Sequence, residues 1–124
     1  RYIHTDDASI RNRRVEFVAP VTIRTGLALA RGPLRANLNW AFTAEHFTDA
    51  TNARRTASAV NGIIPAYTVA DLSCAYRWRF LSLEISCNNL FDQRYFTRRA
   101  EAYPGPGIIP ADGRSFYATI ELRL

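Results

Sequence analysis

The sequence contains no lysine and no methionine, and only two cysteines and two histidines in 124 residues. Each scarcity excludes something. Two cysteines cannot build the disulfide framework of a small secreted domain, nor fill a structural zinc site. His4 and His46 lie far apart, and neither has a Cys, His or carboxylate partner at metal-ligand spacing, so no metal site is expected. No stretch approaches the ~20 apolar residues of a membrane helix, and the start lacks the basic, apolar and small-residue regions of a signal peptide. No cofactor is expected, and no nucleophile–base pair or carboxylate dyad stands out, so the chain is not read as an enzyme. With no Met and an opening Arg1, the chain is expected to begin inside a longer gene product.

What is present argues for a folded β protein. The chain is 48% hydrophobic and 22% charged, with six Gly and six Pro, which excludes a disordered tail. Its net charge of +5 comes from sixteen basic residues, every one an arginine. The dominant pattern has period 2, which places alternate residues on opposite faces of a strand. From Leu34, the residues Leu34, Ala36, Leu38, Trp40, Phe42 and Ala44 oppose Arg35, Asn37, Asn39, Ala41, Thr43 and Glu45. The same alternation marks Val21–Leu29, Thr68–Arg79, Leu81–Cys87 and Phe116–Leu124. Five amphipathic strands are therefore expected, each longer than the ~5–6 residues usual in globular sheets.

The connections alternate in length. Strands one and two meet at Arg31-Gly32-Pro33, and strands three and four around Arg79-Phe80, whereas Thr51–Ala66 and Ala100–Arg114 form long connections. Short turns on one side and long loops on the other, with strands near the ~9–11 residues of a tilted bilayer crossing, are the pattern of an outer-membrane barrel. Arg1–Ala19 is read as the top of a preceding strand and a long polar loop, its Arg11-Asn12-Arg13-Arg14 run being either a basic patch or a solvated loop. Trp78, Tyr76 and Phe80 cluster at one tight turn, and Phe47, Tyr67, Tyr95 and Phe96 lie toward the long connections, as interfacial girdles would. A buried aromatic core in a soluble sandwich would look similar. Five strands leave unpaired edges, which lipid does not tolerate, so the chain is expected to be one arc of a larger barrel.

Two stretches carry a family resemblance. Asn88-Asn89-Leu90-Phe91-Asp92, followed by Arg94-Tyr95, resembles the "N-N-L-F-D-x-x-Y" signature near the C-terminus of TonB-dependent outer-membrane receptors. Ile64-Pro65-Ala66-Tyr67-Thr68-Val69-Ala70-Asp71-Leu72 resembles the "P-x-Y-T-V-x-D-L" opening of the strand before it. The segment from Tyr95 to Ala100, continued by Tyr103 to Tyr117, is similar to the last outer loop of siderophore receptors of the ferric dicitrate type. The resemblance implies an all-β fold, an antiparallel transmembrane barrel segment of about five to six strands, with long outer loops and short periplasmic turns. The whole barrel would have about 22 strands around a plug. Residues 1–124 would be its C-terminal part, with the plug domain absent from this chain.

The implied role is uptake of a ferric siderophore, an anionic chelate such as ferric citrate, across the bacterial outer membrane. The implied partners are the TonB complex, reached through a missing N-terminal part, outer-membrane lipid and the barrel-assembly machinery; nucleic acid is not among them. Cobalamin, haem or oligosaccharide receptors share the fold and remain alternative readings. The sequence departs from the family at its end, where Leu124 stands in place of the usual aromatic residue.

Arginine carries the ligand expectation, because guanidinium groups pair bidentately with carboxylates. Arg98, Arg99 and Arg114 flank the last long connection, and Arg54 and Arg55 sit in the previous one. Asn88, Asn89, Leu90, Phe91, Asp92 and Tyr95 are read as structural: Asn and Asp shape a kink or bulge, and Leu90 and Phe91 pack at it. Pro104 to Gly107 is read as loop-forming; no Lys-Ser/Thr follows it, which excludes a phosphate-binding glycine loop. Cys74 and Cys87 fall opposite each other for a hairpin centred between Phe80 and Leu81, and diagonally for a one-step shift. The rival reading is a soluble, basic β-barrel or sandwich that binds nucleic acid through Arg and aromatic residues.

Overall fold

The computed structural model describes residues 1–57, 59–100, 102 and 106–123. Tyr103, Pro104, Gly105 and the terminal Leu124 lie outside the described residues, and with them half of the Pro-Gly-Pro-Gly stretch and the departure at the chain end. Among the described residues nine strands form in chain order: β1 (Thr22–Arg31), β2 (Leu34–Thr43), β3 (His46–Phe47), β4 (Ile63–Ile64), β5 (Tyr67–Trp78), β6 (Leu81–Asn88), β7 (Phe96–Ala100), β8 (Gly107–Pro110) and β9 (Ser115–Leu122). The five long ones are the five expected from period 2, and they build a single sheet in the order β1-β2-β5-β6-β9.

Two-residue turns close the short connections. Gly32 takes a φ of 56° between β1 and β2, as the primed hairpin turns require. Between β5 and β6 the same left-handed geometry falls on Arg79, at φ 51°, a residue type for which it is strained. The β5–β6 pairing runs from Trp78↔Leu81 to Leu72↔Cys87, so the hairpin is centred between Arg79 and Phe80. Cys74 therefore pairs with Ile85 and Cys87 with Leu72, the two cysteines are diagonal, and both are free thiols.

The chain divides into two compact units. The sheet unit comprises Ile23–Phe42, Thr68–Gln93 and Asp112–Leu124. The loop unit comprises Arg1–Thr22, Thr43–Tyr67 and Arg94–Ala111. Within the loop unit the long connections are not the plain loops expected from sequence. Thr51–Ala66 holds β4, which pairs antiparallel with β3 just before it, and Ala100–Arg114 holds β8, which pairs antiparallel with β7. The first ribbon is pinned by Thr48, whose main-chain N–H and hydroxyl both donate to the carbonyl of Gly62 at 3.0 Å. Ile64 is the largest fully buried side chain. The second ribbon carries a register irregularity between Phe96 and Arg98, and the rings of Tyr67 and Tyr95 stack at 4.6 Å. Residues 1–21 contain no strand among the described residues, so the expected end of a preceding strand does not form there.

Candidate functional site

The register of β5, β6 and β9 decides which side chains share a face. Four cross-strand rows result: Trp78–Leu81–Leu122, Tyr76–Leu83–Ile120, Cys74–Ile85–Ala118 and Leu72–Cys87–Phe116. Every member is apolar or aromatic. The interleaved rows read Arg77–Ser82–Glu121, Ala75–Glu84–Thr119 and Ser73–Ser86–Tyr117. The sheet is thus apolar on one face and polar on the other across three neighbouring strands.

The apolar face is open. Ile85 is 51% exposed, Ile120 68% and Leu27 on β1 72%. Burying a side chain of this size is worth about 1.5–3 kcal/mol, so an aqueous sheet would hide this face. A soluble sandwich would have to cover it, which the described residues do not do. Trp78, Tyr76 and Phe80, also exposed, gather at the tight-turn end, where an interfacial girdle belongs. The polar face holds a cleft of about 370 Å³ lined by Arg24, Gly26, Asn39 and Asp71 among others.

The two motif stretches meet in the sheet unit through two hydrogen bonds. The Asn89 main-chain N–H donates to Asp71 Oδ1 at 2.8 Å, one step beyond the last β5–β6 pair. Asn89 is 3% exposed and takes a φ of 50°. Its Nδ2 donates to the carbonyls of Gln93 (3.0 Å) and Asp112 (3.2 Å), and its Oδ1 accepts from Gln93 N–H at 2.9 Å. Leu90 N–H donates to Ala70 O, and Asp92 N–H closes a turn back to Asn89 O. Asp92 Oδ1 in turn accepts from Arg114 N–H at 3.0 Å. Asn89 therefore ties the end of β6 to β5 and to the segment that enters β9. The motif is a strand-end lock.

Some expected packing differs. Phe91 is 71% exposed and does not pack at the turn, because the left-handed residues on either side of the Leu90–Phe91 pair turn the chain tip outward. Leu90 is half-buried. The role of Asp71 was legible in principle: a hairpin centred between Arg79 and Phe80 sets Asp71 opposite Asn88, within reach of the next N–H.

The three candidate arginines are not alike. Arg99 threads its guanidinium into the 59–63 segment, donating from Nη1 to Ala59 O at 2.7 Å and from Nη2 to Ile63 O at 2.9 Å. It also lies 5.3 Å from the centre of the Phe96 ring, and its Nε is buried without a partner. Gly62 accommodates this crossing, since a Cβ there would fall 3.1 Å from Arg99 Nη2 and 2.9 Å from Arg54 O. Arg114 makes a 3.5 Å contact from Nη1 to Leu90 O and lies 6.0 Å from the centre of the Phe116 ring. Arg98 is exposed on β7, and among the described residues nothing engages its guanidinium. Replacing Arg99 by alanine should free the 59–63 segment, with proteolytic nicking there accelerated about tenfold or more and the sheet unaffected. Lysine should not restore protection, because one ammonium cannot span both carbonyls. Limited proteolysis followed by mass mapping reads this out.

Several other polar groups of the loop unit are already occupied. Arg54 forms a bidentate ion pair with Glu45, at 3.1 and 3.2 Å. The Tyr2 hydroxyl donates to Glu16 Oε2, which holds the Glu16 carboxyl below the ordinary carboxylate range and pushes the Tyr2 phenol up. Asp7 is likewise held low by the Ser9 hydroxyl and N–H. His46, on β3, is buried with Nδ1 3.1 Å from Ala44 O, a structural placement. Among the described residues no cluster of His, Cys, Asp and Glu could hold a metal ion.

No protein-family model and no curated protein matches the chain. Solved structures do. The ferric citrate transporter FecA in its unliganded form is 26% identical, with a TM-score of 0.78 over 93% of this chain and 18% of that one. The ferric yersiniabactin uptake receptor FyuA from Yersinia pestis is 18% identical (TM-score 0.68, 91% of this chain, 17% of that one). The copper transporter OprC is 21% identical (TM-score 0.64, 89% and 18%). The chain spans less than a fifth of the length of each. These three are transporters and receptors rather than enzymes, and the chain has the fold of a stretch of their barrel wall.

Proposed function

We propose that this chain is the C-terminal part of the barrel of a bacterial outer-membrane receptor that imports a ferric siderophore, with ferric citrate as its cargo and TonB-coupled energy as the drive. The observation that carries the receptor reading is the sheet itself: four apolar rows face outward, and Arg77, Glu84 and Glu121 share the opposite face. The open edges of β1 and β9 support its being one arc of a larger wall, because unpaired backbone groups are prohibitively costly in lipid. Likeness to the ferric citrate transporter over 93% of the chain supports the choice of cargo. Of the three candidate arginines, Arg98 is the one whose guanidinium nothing engages among the described residues, which suits it to an anionic chelate, while Arg99 is bonded to the carbonyls of Ala59 and Ile63 and Arg114 to that of Leu90.

Uptake of radioactive iron in iron-starved cells tests this. Deleting the gene should abolish uptake of iron supplied as citrate and leave uptake as enterobactin intact. Restoring it with Arg98→Ala should leave citrate uptake about five- to tenfold lower at limiting chelate, the loss of one charge-assisted contact. Intact citrate uptake with loss of another chelate would discard citrate and keep the receptor. Unchanged uptake of every ferric chelate would discard both.

A further inference from the structure

Two clefts of the loop unit meet at Arg1 and Arg14, and neither belongs to the sheet or is lined by Arg98, Arg99 or Arg114. One, of about 380 Å³, is lined by Arg1, Arg13, Arg14, Arg54, Asn52 and Glu45 among others. The other, of about 260 Å³, is lined by Arg1, Arg14, Val15, Val18 and Pro20. The first is basic and the second largely apolar.

The basic cleft carries four arginines against a single lining carboxylate. Its one carboxylate, Glu45, is already paired with Arg54. The neighbouring acids are engaged as well: Glu16 by the Tyr2 hydroxyl, Asp7 by Ser9, and Asp49 by the hydroxyl and N–H of Thr51. Among the described residues no carboxylate lies within ion-pair distance of the guanidinium groups of Arg1, Arg13 or Arg14. Bringing such cations together costs repulsion unless an anion joins them.

The backbone that carries these arginines is fixed. Arg14 N–H donates to Asn52 Oδ1 at 2.7 Å, and Asn52 Nδ2 returns a bond to Arg14 O at 2.8 Å. Arg13 is held on both sides, its carbonyl accepting from Tyr2 N–H at 3.0 Å and its N–H donating to Ile10 O at 2.9 Å. Phe17 N–H donates to Phe47 O at 2.7 Å, which clamps the same segment to β3. Asn12 and Asn52 both adopt left-handed φ values, near 60°, to make these turns. Val18 nevertheless stays 57% exposed beside the basic cleft.

We propose that these adjoining clefts bind a phosphorylated amphiphile, with its phosphate on Arg13 and Arg14 and its apolar portion against Val15, Val18 and Pro20. A phosphate offers several acceptor oxygens to arginines that line one cleft. An apolar cleft sharing two of the same arginines selects a ligand that has both parts over a free phosphoanion.

Native mass spectrometry of the detergent-solubilised full-length protein tests this, with lipid A, the uncharged-overall phosphatidylcholine and inorganic pyrophosphate as probes. Wild type should retain a lipid A adduct in preference to phosphatidylcholine. Arg13→Ala/Arg14→Ala should lower its occupancy about tenfold, and Arg13→Lys/Arg14→Lys should restore part of it. Val18→Asn should lower lipid A occupancy while leaving pyrophosphate binding near its wild-type level. Unchanged melting of the variants separates lost contacts from lost folding, and Asn52→Ala, which leaves every charge in place, should weaken binding by loosening Arg14. Equal lipid A occupancy in wild type and the double alanine variant would overturn the site. Pyrophosphate binding as tightly as lipid A, with Val18→Asn without effect on either, would overturn the amphiphile.

Discussion

Replacing Ile85 by arginine should destabilise the barrel wall by about 2–4 kcal/mol in a bilayer, the cost of a charge near the membrane midplane on a lipid-facing strand. Ile85 sits in the third apolar row from the tight-turn end, between Cys74 and Ala118. Leu122, which pairs with Leu81 in the row nearest the turns, lies about 13 Å closer to that end at ~3.3 Å per residue. The same substitution at Leu122 should therefore cost only about 0–1 kcal/mol. Ser86→Arg, one residue from Ile85 but on the polar face, should stay within about 0.5 kcal/mol. Denaturant unfolding from lipid vesicles measures all three. A water-facing Ile85 would give no depth dependence, since moving an exposed aliphatic to arginine there costs almost nothing.

The second large effect is expected at Asn89. Alanine there removes three side-chain hydrogen bonds, taking a partner from the Gln93 N–H, the Gln93 carbonyl and the Asp112 carbonyl beside a residue that is 3% exposed. Each orphaned group costs about 1–3 kcal/mol, so a loss of the order of 3 kcal/mol is expected after partial rescue by water. The left-handed backbone adds to it, because alanine tolerates a φ of 50° poorly. Asn89→Gly keeps the backbone permissive and should recover about 1 kcal/mol, which separates strain from lost hydrogen bonds. Asp71→Ala, which strips only the acceptor for the Asn89 N–H, should cost less than Asn89→Ala. Heat-modifiable gel mobility together with denaturant midpoints orders the three. Equal midpoints for wild type and Asn89→Ala would refute the lock.

Period 2 made the sheet legible because one-sided wetting leaves its mark on every residue of a long strand. Leu34–Ala44 by alternation became Leu34–Thr43 in the structure, and the tight turn at Gly32-Pro33 fell where expected. The short ribbons were not legible. His46–Phe47 and Ile63–Ile64 are two residues each, too brief for any alternation, and their pairing depends on Thr48 reaching Gly62 across the chain. The arginines show a different limit. Residue type announces a cation, but the two main-chain carbonyls that occupy Arg99 are set by the fold of the 59–63 segment. The Arg13–Arg14 run was visible as charge; that Asn52 clamps it from 38 residues away was not.

The central claim is that the face bearing Leu83 and Ile85 touches lipid while the face bearing Glu84 and Ser86 meets water. Cysteine scanning of β6, one position at a time from Leu81 to Asn88 in a background lacking Cys74 and Cys87, tests it in intact outer membranes with a membrane-impermeant maleimide. The structure predicts a strict two-residue alternation: Ser82, Glu84 and Ser86 label, and Leu81, Leu83 and Ile85 label only after the membrane is dissolved. Fast labelling of Leu83 and Ile85 in the intact membrane would contradict the account.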